Sequence, residues 1–143
     1  MKFFILFAVC VAAVNCIDDS EFSEKSRNFM KYLHDTCYAQ TNVKDEYIEA
    51  HKKGNFYVND ISLKKYISCL WTTSKALNAN FDLDASLLYG VLPPRVAYYL
   101  VPIYMDCAKQ VKFTVPFDTP IEEKTFLVNI CVYYRNPYEF VFF

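Results

Sequence analysis

The chain has 143 residues, a length typical of one domain, and its formal net charge is only −1. Its longest basic runs are the pairs Lys52-Lys53 and Lys64-Lys65, which offer no electrostatic basis for binding nucleic acid. Aromatic residues make up 18% of the sequence and there are only two glycines, which argues against a turn-rich β fold and favours helices joined by short connections.

The first sixteen residues have the features of a secretory signal peptide. Lys2 supplies a positive charge, residues 3–14 form an uninterrupted apolar run, and Val14-Asn15-Cys16 provides permissive residues for cleavage before Ile17. The apolar run of twelve residues falls short of the roughly twenty that span a bilayer, so no stable membrane insertion is expected. The sequence predicts a secreted, extracellular protein in which residues 17–143 form a single domain.

Apolar residues recur at helical spacing through the rest of the chain and predict six helices. The predicted helices cover residues 17–41, 43–53, 63–77, 85–92, 95–110 and about 119–135. Asp18, Asp19 or Ser20 can cap the first helix. Gly54 stands where a glycine commonly ends the second, and Asp60 can cap the third. The sequence therefore predicts an all-α fold.

The third predicted helix, residues 63–77, should be the centre of the fold. Its apolar stripe includes Ile67 and the only tryptophan, Trp71, and Cys69 lies between them. A disulfide beside an apolar stripe would fix this helix within a small core.

Prolines mark the last two predicted helices. Pro102 lies inside the fifth helix and should kink or split it, because proline removes a backbone donor and clashes with the preceding turn. Residues 111–118 contain Pro116 and are predicted to form a loop. Thr119-Pro120-Ile121-Glu122 then places a cap residue, a proline and a glutamate in the order of a capping box, which should begin the sixth helix.

The chain ends in an aromatic segment, Tyr138-Glu139-Phe140-Val141-Phe142-Phe143. Free chain ends are usually polar and frayed, so four aromatic residues among the last six predict that this segment packs against the domain. It either covers an ordinary core or folds back to line or close a cavity.

Four cysteines remain after removal of a signal peptide that contains Cys10 and Cys16. They are Cys37, Cys69, Cys107 and Cys131. An even number in an oxidising compartment predicts two disulfides, and the count alone allows three pairings. No two of the four are close enough in sequence to form the pairs that zinc sites use, so no metal site is expected.

No catalytic motif is recognisable in the sequence. His34-Asp35-Thr36-Cys37-Tyr38 resembles part of the active-site motif of secreted phospholipases A2, but the glycine-rich calcium loop and the upstream cysteine pair are missing. His51 lies among charged residues and is expected to be solvated. The sequence therefore predicts a protein that is not an enzyme and has no cofactor.

Each of four predicted helices contains one cysteine, and a proline follows the fourth helix. These features are Cys37 near the end of the first helix, Cys69 in the third, Leu92-Pro93 after the fourth, Cys107 in the fifth and Cys131 in the sixth, before the ending Asn136-Pro137-Tyr138-Glu139-Phe140. In the order of these cysteines and prolines along its helices, the chain resembles the insect odorant-binding proteins, the pheromone and general odorant-binding family. The resemblance covers almost all of residues 17–143.

Members of that family usually have six cysteines, and this sequence has Lys65 and Glu122 at the positions of the other two. The chain therefore resembles the four-cysteine, or minus-C, subtype. The resemblance implies that the third and sixth helices are not joined by a disulfide.

The resemblance also implies a pairing, a fold and a function. The implied disulfides are Cys37–Cys69 and Cys107–Cys131, within about six helices around a central hydrophobic cavity. Small hydrophobic ligands such as odorants, pheromones or related lipids would bind reversibly in that cavity.

Candidate ligand-binding positions follow from their distance to the matched cysteines and from side-chain character. They are Met30, Phe56, Ile67, Trp71, Leu77, Leu88, Val101, Tyr104, Val128, Val132, Phe140 and Phe142. A mostly apolar wall with a few polar groups is typical of small-molecule sites.

Two functions remain open on the sequence. The first is a carrier of small hydrophobic molecules, a monomer or weak homodimer for which a membrane odorant receptor is a further candidate partner. The alternative is a secreted interaction or scavenger protein of the same fold in saliva, venom or reproductive tissue.

Overall fold

The computed structural model describes residues 17–141, which form six α-helices and one short 3₁₀ turn at Asp19–Glu21. The helices are α1 (Glu24–Thr41), α2 (Asp45–Lys52), α3 (Ile61–Thr73), α4 (Ala85–Val91), α5 (Pro94–Thr114) and α6 (Ile121–Arg135). Within this part of the chain the only β pairing is an isolated bridge between Leu77 and Leu83. The predicted all-α fold is confirmed. The signal peptide prediction falls on residues 1–16, outside the described residues.

Two disulfides join the helices in pairs. Cys37 of α1 is bonded to Cys69 of α3, and Cys107 of α5 is bonded to Cys131 of α6. The pairing implied by the family resemblance is therefore confirmed. The bonded cysteines are 32 and 24 residues apart, so each bridge stabilises the fold by about 3–4 kcal/mol in the chain-entropy model.

Helix α3 lies at the centre of the fold, packed between α1 and α6. Its buried side chains include Leu63, Ile67 and Trp71. The helix ends at Thr73 and not at Leu77 as predicted, because the chain turns at Lys75, whose φ is 61°. The backbone N–H of Leu77 then donates to the carbonyl of Trp71, which keeps Leu77 in the core beside the end of the helix.

Helix α5 runs through Pro102 without a break and extends to Thr114, so the predicted split and the loop beginning at residue 111 are wrong. Pro102 is exposed, and the carbonyl that its ring leaves unbonded belongs to Tyr98, on the same solvent-facing side. Buried side chains continue on the opposite face as far as Val111, and their packing maintains the helix.

The helix ends agree with the sequence at some positions and differ at others. Asp60 caps α3 by accepting from the N–H of Ser62, and Gly54 follows α2 with a φ of 77°, as predicted. The capping box at residues 119–122 does not form, because Pro120 is extended and itself occupies the cap position without a side-chain bond. The first helix begins at Glu24, capped by Ser23, and not at residue 17.

Among residues 17–141, no helix is both long and apolar enough to cross a bilayer.

Candidate functional site

Eleven of the twelve candidate ligand-binding residues belong to or pack against one hydrophobic core, and Phe142 lies outside the described residues. The buried members of this set are Ile67, Trp71, Leu77, Leu88, Val101, Tyr104, Val128 and Val132. Met30, Phe56 and Phe140 are partly buried against the same core. The fold brings these side chains into one region, and ligand contact at each of them stays a prediction.

A cavity of about 530 Å³ lies between α1 and the C-terminal tail, which we define as residues 137–141. Its apolar wall includes Phe22, Met30, Phe140 and Val141. This volume lies within the range that small-molecule sites use. We call this space the tail cavity, because the tail forms one of its walls.

Arg95 joins the tail to the N-terminal 3₁₀ turn. Its Nε lies 2.8 Å from a carboxylate oxygen of Glu21, and its Nη1 lies 2.6 Å from Glu139. The Tyr99 hydroxyl donates a hydrogen bond to the same Glu139 carboxylate. The hydrogen bond from Arg95 lowers the pKa of Glu21, so this carboxyl stays ionised at neutral pH. Both ends of the described chain are thus held at the start of α5 by polar contacts.

Tyr104 attaches the end of the tail to the core. Its hydroxyl donates to the backbone carbonyl of Val141, and the whole side chain is buried. Burial raises the pKa of Tyr104 well above its usual value, which keeps the phenol protonated as a donor. Tyr104, one of the candidate ligand-binding residues, therefore has two roles: it packs in the core, and its hydroxyl binds the end of the tail.

His34 and Tyr66 form a polar pair in the wall of the tail cavity, and sequence reasoning missed this role for both. The Nδ1 atom of His34 lies 2.7 Å from the Tyr66 hydroxyl. Burial, together with the charge of Asp45, raises the pKa of Tyr66. One signal was present in the sequence, because Tyr66 follows Leu63 by three residues and precedes Leu70 by four on the buried face of α3.

His51 is fully buried, so the prediction that it is solvated is wrong. Its ring lies 5.0 Å from that of Phe56 and 5.3 Å from that of Phe126, centroid to centroid, and the tail residue Phe140 is 6.2 Å away. Asn129 Nδ2 donates to His51 Nε2 over 3.2 Å. Burial lowers the pKa of His51 to about 4, so the imidazole is neutral at physiological pH.

The described residues also enclose a very small internal space and line a groove on the protein surface. One, beside Trp71, Leu77 and Val128, is too small to hold a water molecule. The other is a groove of about 540 Å³ on the outer side of α5, lined by Met105 and Phe113 among others. We call it the outer groove.

A model of the PBP/GOBP family matches residues 19–133. The chain belongs to the PBP/GOBP family. The matched residues include all four bridged cysteines, whereas the tail lies beyond them. No curated protein matches the chain significantly.

PBP/GOBP proteins are small carriers of odorants and pheromones and are not enzymes. The tail cavity has apolar walls and a few hydrogen-bonding side chains, a composition typical of small-molecule sites. Within residues 17–141, no three or more histidine, cysteine or acidic side chains are grouped so that they could hold a metal ion.

Proposed function

We propose that this PBP/GOBP-family chain is a secreted carrier that binds small hydrophobic molecules reversibly, without catalysis and without a cofactor. The single observation that best supports the proposal is the tail cavity of about 530 Å³, walled by apolar side chains of α1 and the tail. Met30 and Phe140 are the two candidate ligand-binding residues that line it. The other described candidates belong to or pack against the hydrophobic core and do not line the tail cavity, so a ligand would reach them only by entering the core.

The expected affinity follows from the area that a ligand would bury. A volatile molecule that loses roughly 300 Å² of apolar surface to the protein gains about 7 kcal/mol. Association and ordering of the ligand cost part of that gain, which leaves dissociation constants on the order of micromolar. Such an affinity suits a carrier that must also release its ligand.

The contacts that attach the tail to the rest of the domain are consistent with reversible binding of a ligand in the tail cavity. The tail is attached through Glu139 and the carbonyl of Val141, and neither attachment is covalent. A ligand can therefore reach the tail cavity by displacement of the tail, without any change in the disulfides.

We further propose that the chain is of the minus-C subtype and is secreted. The subtype is supported by Lys65 and Glu122, which stand at the positions of the missing bridge, and secretion is supported by the apolar run within residues 1–16. The mature protein would start at Ile17, and would act as a monomer or weak homodimer that can deliver ligand to a membrane odorant receptor. Mass spectrometry of the secreted protein should give an N-terminus at Ile17 and a mass consistent with two disulfides.

Displacement of a fluorescent apolar probe from the oxidised protein tests the carrier function. Odorants, pheromone-like alcohols and fatty acids should displace the probe with micromolar constants. Met30→Glu, in the wall of the tail cavity, should weaken probe binding about tenfold or more, because it places a charge against the apolar ligand. The matched control Met105→Glu, in the outer groove, should leave binding unchanged. Failure of every apolar compound to bind would contradict the proposal.

The alternative function, a secreted interaction protein, is favoured by one observation. Phe113, which lines the outer groove, is 73% exposed, and Phe117, after the end of α5, is 98% exposed. Large exposed aromatic side chains often mark contact surfaces. Transcript location separates the two functions. Expression in a sensory appendage supports the carrier of odorants, whereas expression in salivary, venom or reproductive tissue supports the alternative.

A further inference from the structure

The solvent-facing side of α5 carries apolar side chains that an isolated domain leaves in contact with water. Tyr98 and Phe113 are 82% and 73% exposed, Pro102 is also exposed, and Met105 is half-buried. These four residues occupy positions i, i+15, i+4 and i+7 of the helix, which at about 100° per residue all lie on one side of it. The buried side chains of α5 occupy the opposite side. We call the four residues the α5 stripe.

Two opposite charges lie within the α5 stripe. The side chain of Asp106 is 62% exposed even though it pairs with Arg135, and Lys109 is exposed. A carboxylate has several acceptor positions, so Asp106 can accept from a second cation. The stripe therefore has apolar side chains at both ends and one acidic and one basic group near its middle.

The order of these residues along α5 is self-complementary. Pro102 and Phe113 lie equally far from the midpoint between residues 107 and 108, and so do Asp106 and Lys109. If two copies of α5 pack antiparallel about a two-fold axis at this midpoint, Asp106 of each copy faces Lys109 of the other. Phe113 of each copy then faces Pro102, which lines the other copy's outer groove. A parallel packing in register would instead bring like charges together.

The area available on this side fits a weak dimer. Phe117, which is 98% exposed, continues the pattern beyond the end of α5, at the same distance from the midpoint as Tyr98. An aromatic side chain can bury roughly 150–200 Å², so Tyr98, Phe113 and Phe117 of two copies would bury about 900–1,200 Å². Specific interfaces begin at about 1,200 Å². A dissociation constant on the order of 100 µM is therefore expected.

We propose that the α5 stripe is the contact surface of a weak, two-fold symmetric homodimer in which the two α5 helices pack antiparallel. The partner is a second copy of this chain, because the charges and the apolar side chains of the stripe match their own copy in that arrangement. None of the four stripe residues lines the tail cavity, so dimer formation and ligand binding use separate surfaces. The proposal does not depend on the carrier function.

Sedimentation equilibrium of the oxidised protein, from about 10 µM to about 1 mM, tests the proposal. The wild type should form a dimer with a dissociation constant on the order of 100 µM. Asp106→Lys and Lys109→Asp should each weaken the dimer about tenfold or more, because each variant sets like charges against one another across the two-fold axis. An equimolar mixture of the two variants should recover the dimer, because both contacts across the axis then join opposite charges.

Phe113→Ala tests the apolar part of the interface and should weaken the dimer about tenfold or more. Its matched control is Tyr57→Ala, which removes a fully exposed aromatic side chain between α2 and α3 and should leave the dimer unchanged. Far-UV circular dichroism like that of the wild type shows that a variant is folded.

Three results would overturn the proposal. They are a wild-type protein that stays monomeric over the whole range, a dimer that Asp106→Lys and Phe113→Ala do not weaken, and a mixture of the two charge variants that does not associate. A monomeric wild type that binds vesicles of phosphatidylcholine and phosphatidylserine, and loses this binding in Phe113→Ala, would assign the stripe to a membrane surface and would overturn the homodimer as well.

Discussion

The two sides of α3 are held by different kinds of interaction. On the side of α1, the bridge between Cys37 and Cys69 is covalent. On the side of α6, Lys64 forms an ion pair with Glu123, and its ammonium lies 5.0 Å from the ring centroid of Phe126. Breaking a disulfide requires a change in covalent bonding, whereas an ion pair can separate without one. The α6 side is therefore the side on which the fold should loosen first.

The ion pair lies next to the positions at which a third disulfide would join α3 to α6. In the proposed minus-C assignment, Lys65 and Glu122 stand where six-cysteine members would have the extra cysteines, and the residues that pair here are their neighbours, Lys64 and Glu123. The side chain of Lys64 is only 11% exposed. A partly buried ion pair thus joins the two helices that lack the covalent link.

Removal of the covalent link should have the largest effect on stability. The double variant Cys37→Ala/Cys69→Ala should lower the free energy of unfolding by about 3–4 kcal/mol, because the unfolded chain regains the entropy of a loop of this length. Urea unfolding at neutral pH measures the change. A loss below about 1 kcal/mol would show that the α1 side does not depend on the bridge.

Acid should weaken the packing of α2 on α6 through His51, an α2 residue whose ring contacts Phe126 and Asn129 of α6. The pKa of His51 is about 4 in the folded protein and 6.5 in an unperturbed histidine, so below pH 6.5 the unfolded chain binds a proton that the folded chain does not. Stability is therefore lost as the pH falls from 6.5 to 4, by about 3 kcal/mol in total. Urea unfolding at several pH values should show this slope in the wild type.

His51→Gln is the matched variant for that prediction, since glutamine keeps a polar group near Asn129 and does not titrate. Its stability should depend less on pH between 6.5 and 4 than that of the wild type. Identical slopes for the two proteins would exclude His51 as the source of the acid sensitivity.

Loss of the ion pair should have the smallest effect of the three. Glu123→Gln leaves the ammonium of Lys64 without its carboxylate, which should cost about 1–2 kcal/mol because the lysine is largely buried. Glu46→Gln, which breaks the exposed pair with Lys44, is the control and should change stability by less than about 0.5 kcal/mol. Equal effects of the two substitutions would mean that burial of Lys64 has no energetic consequence.

The fold could be predicted from the sequence because its determinants are local or follow from the order of the cysteines. Helical periodicity places the six helices, and the cap at Asp60 and the glycine at position 54 have the expected roles. The errors at helix ends arise where two local signals compete. Thr119 and Glu122 have the spacing of a capping box, but the extended Pro120 takes the cap position.

The tail cavity was harder to predict because its polar groups come from distant parts of the chain. His34 and Tyr66, which line the cavity, are 32 residues apart. The same difficulty applies outside the cavity, where Asn129 and His51 are 78 residues apart. The neighbours of His51 in sequence are charged, which predicts exposure, whereas its neighbours in the fold are aromatic rings from α6 and the tail. No periodic pattern records such contacts, so only the apolar part of the site was accessible to sequence reasoning.

The central claim is that small hydrophobic ligands bind in the tail cavity, and the methionines can test it directly. Residues 17–143 contain two methionines, of which Met30 lines the tail cavity and Met105 lines the outer groove. Protein labelled with ¹³C at the methionine methyl groups should be titrated with hexadecanoic acid and followed by NMR. The account predicts a saturable shift of the Met30 resonance with little change at Met105. A shift of Met105 alone, or of neither resonance, would contradict it.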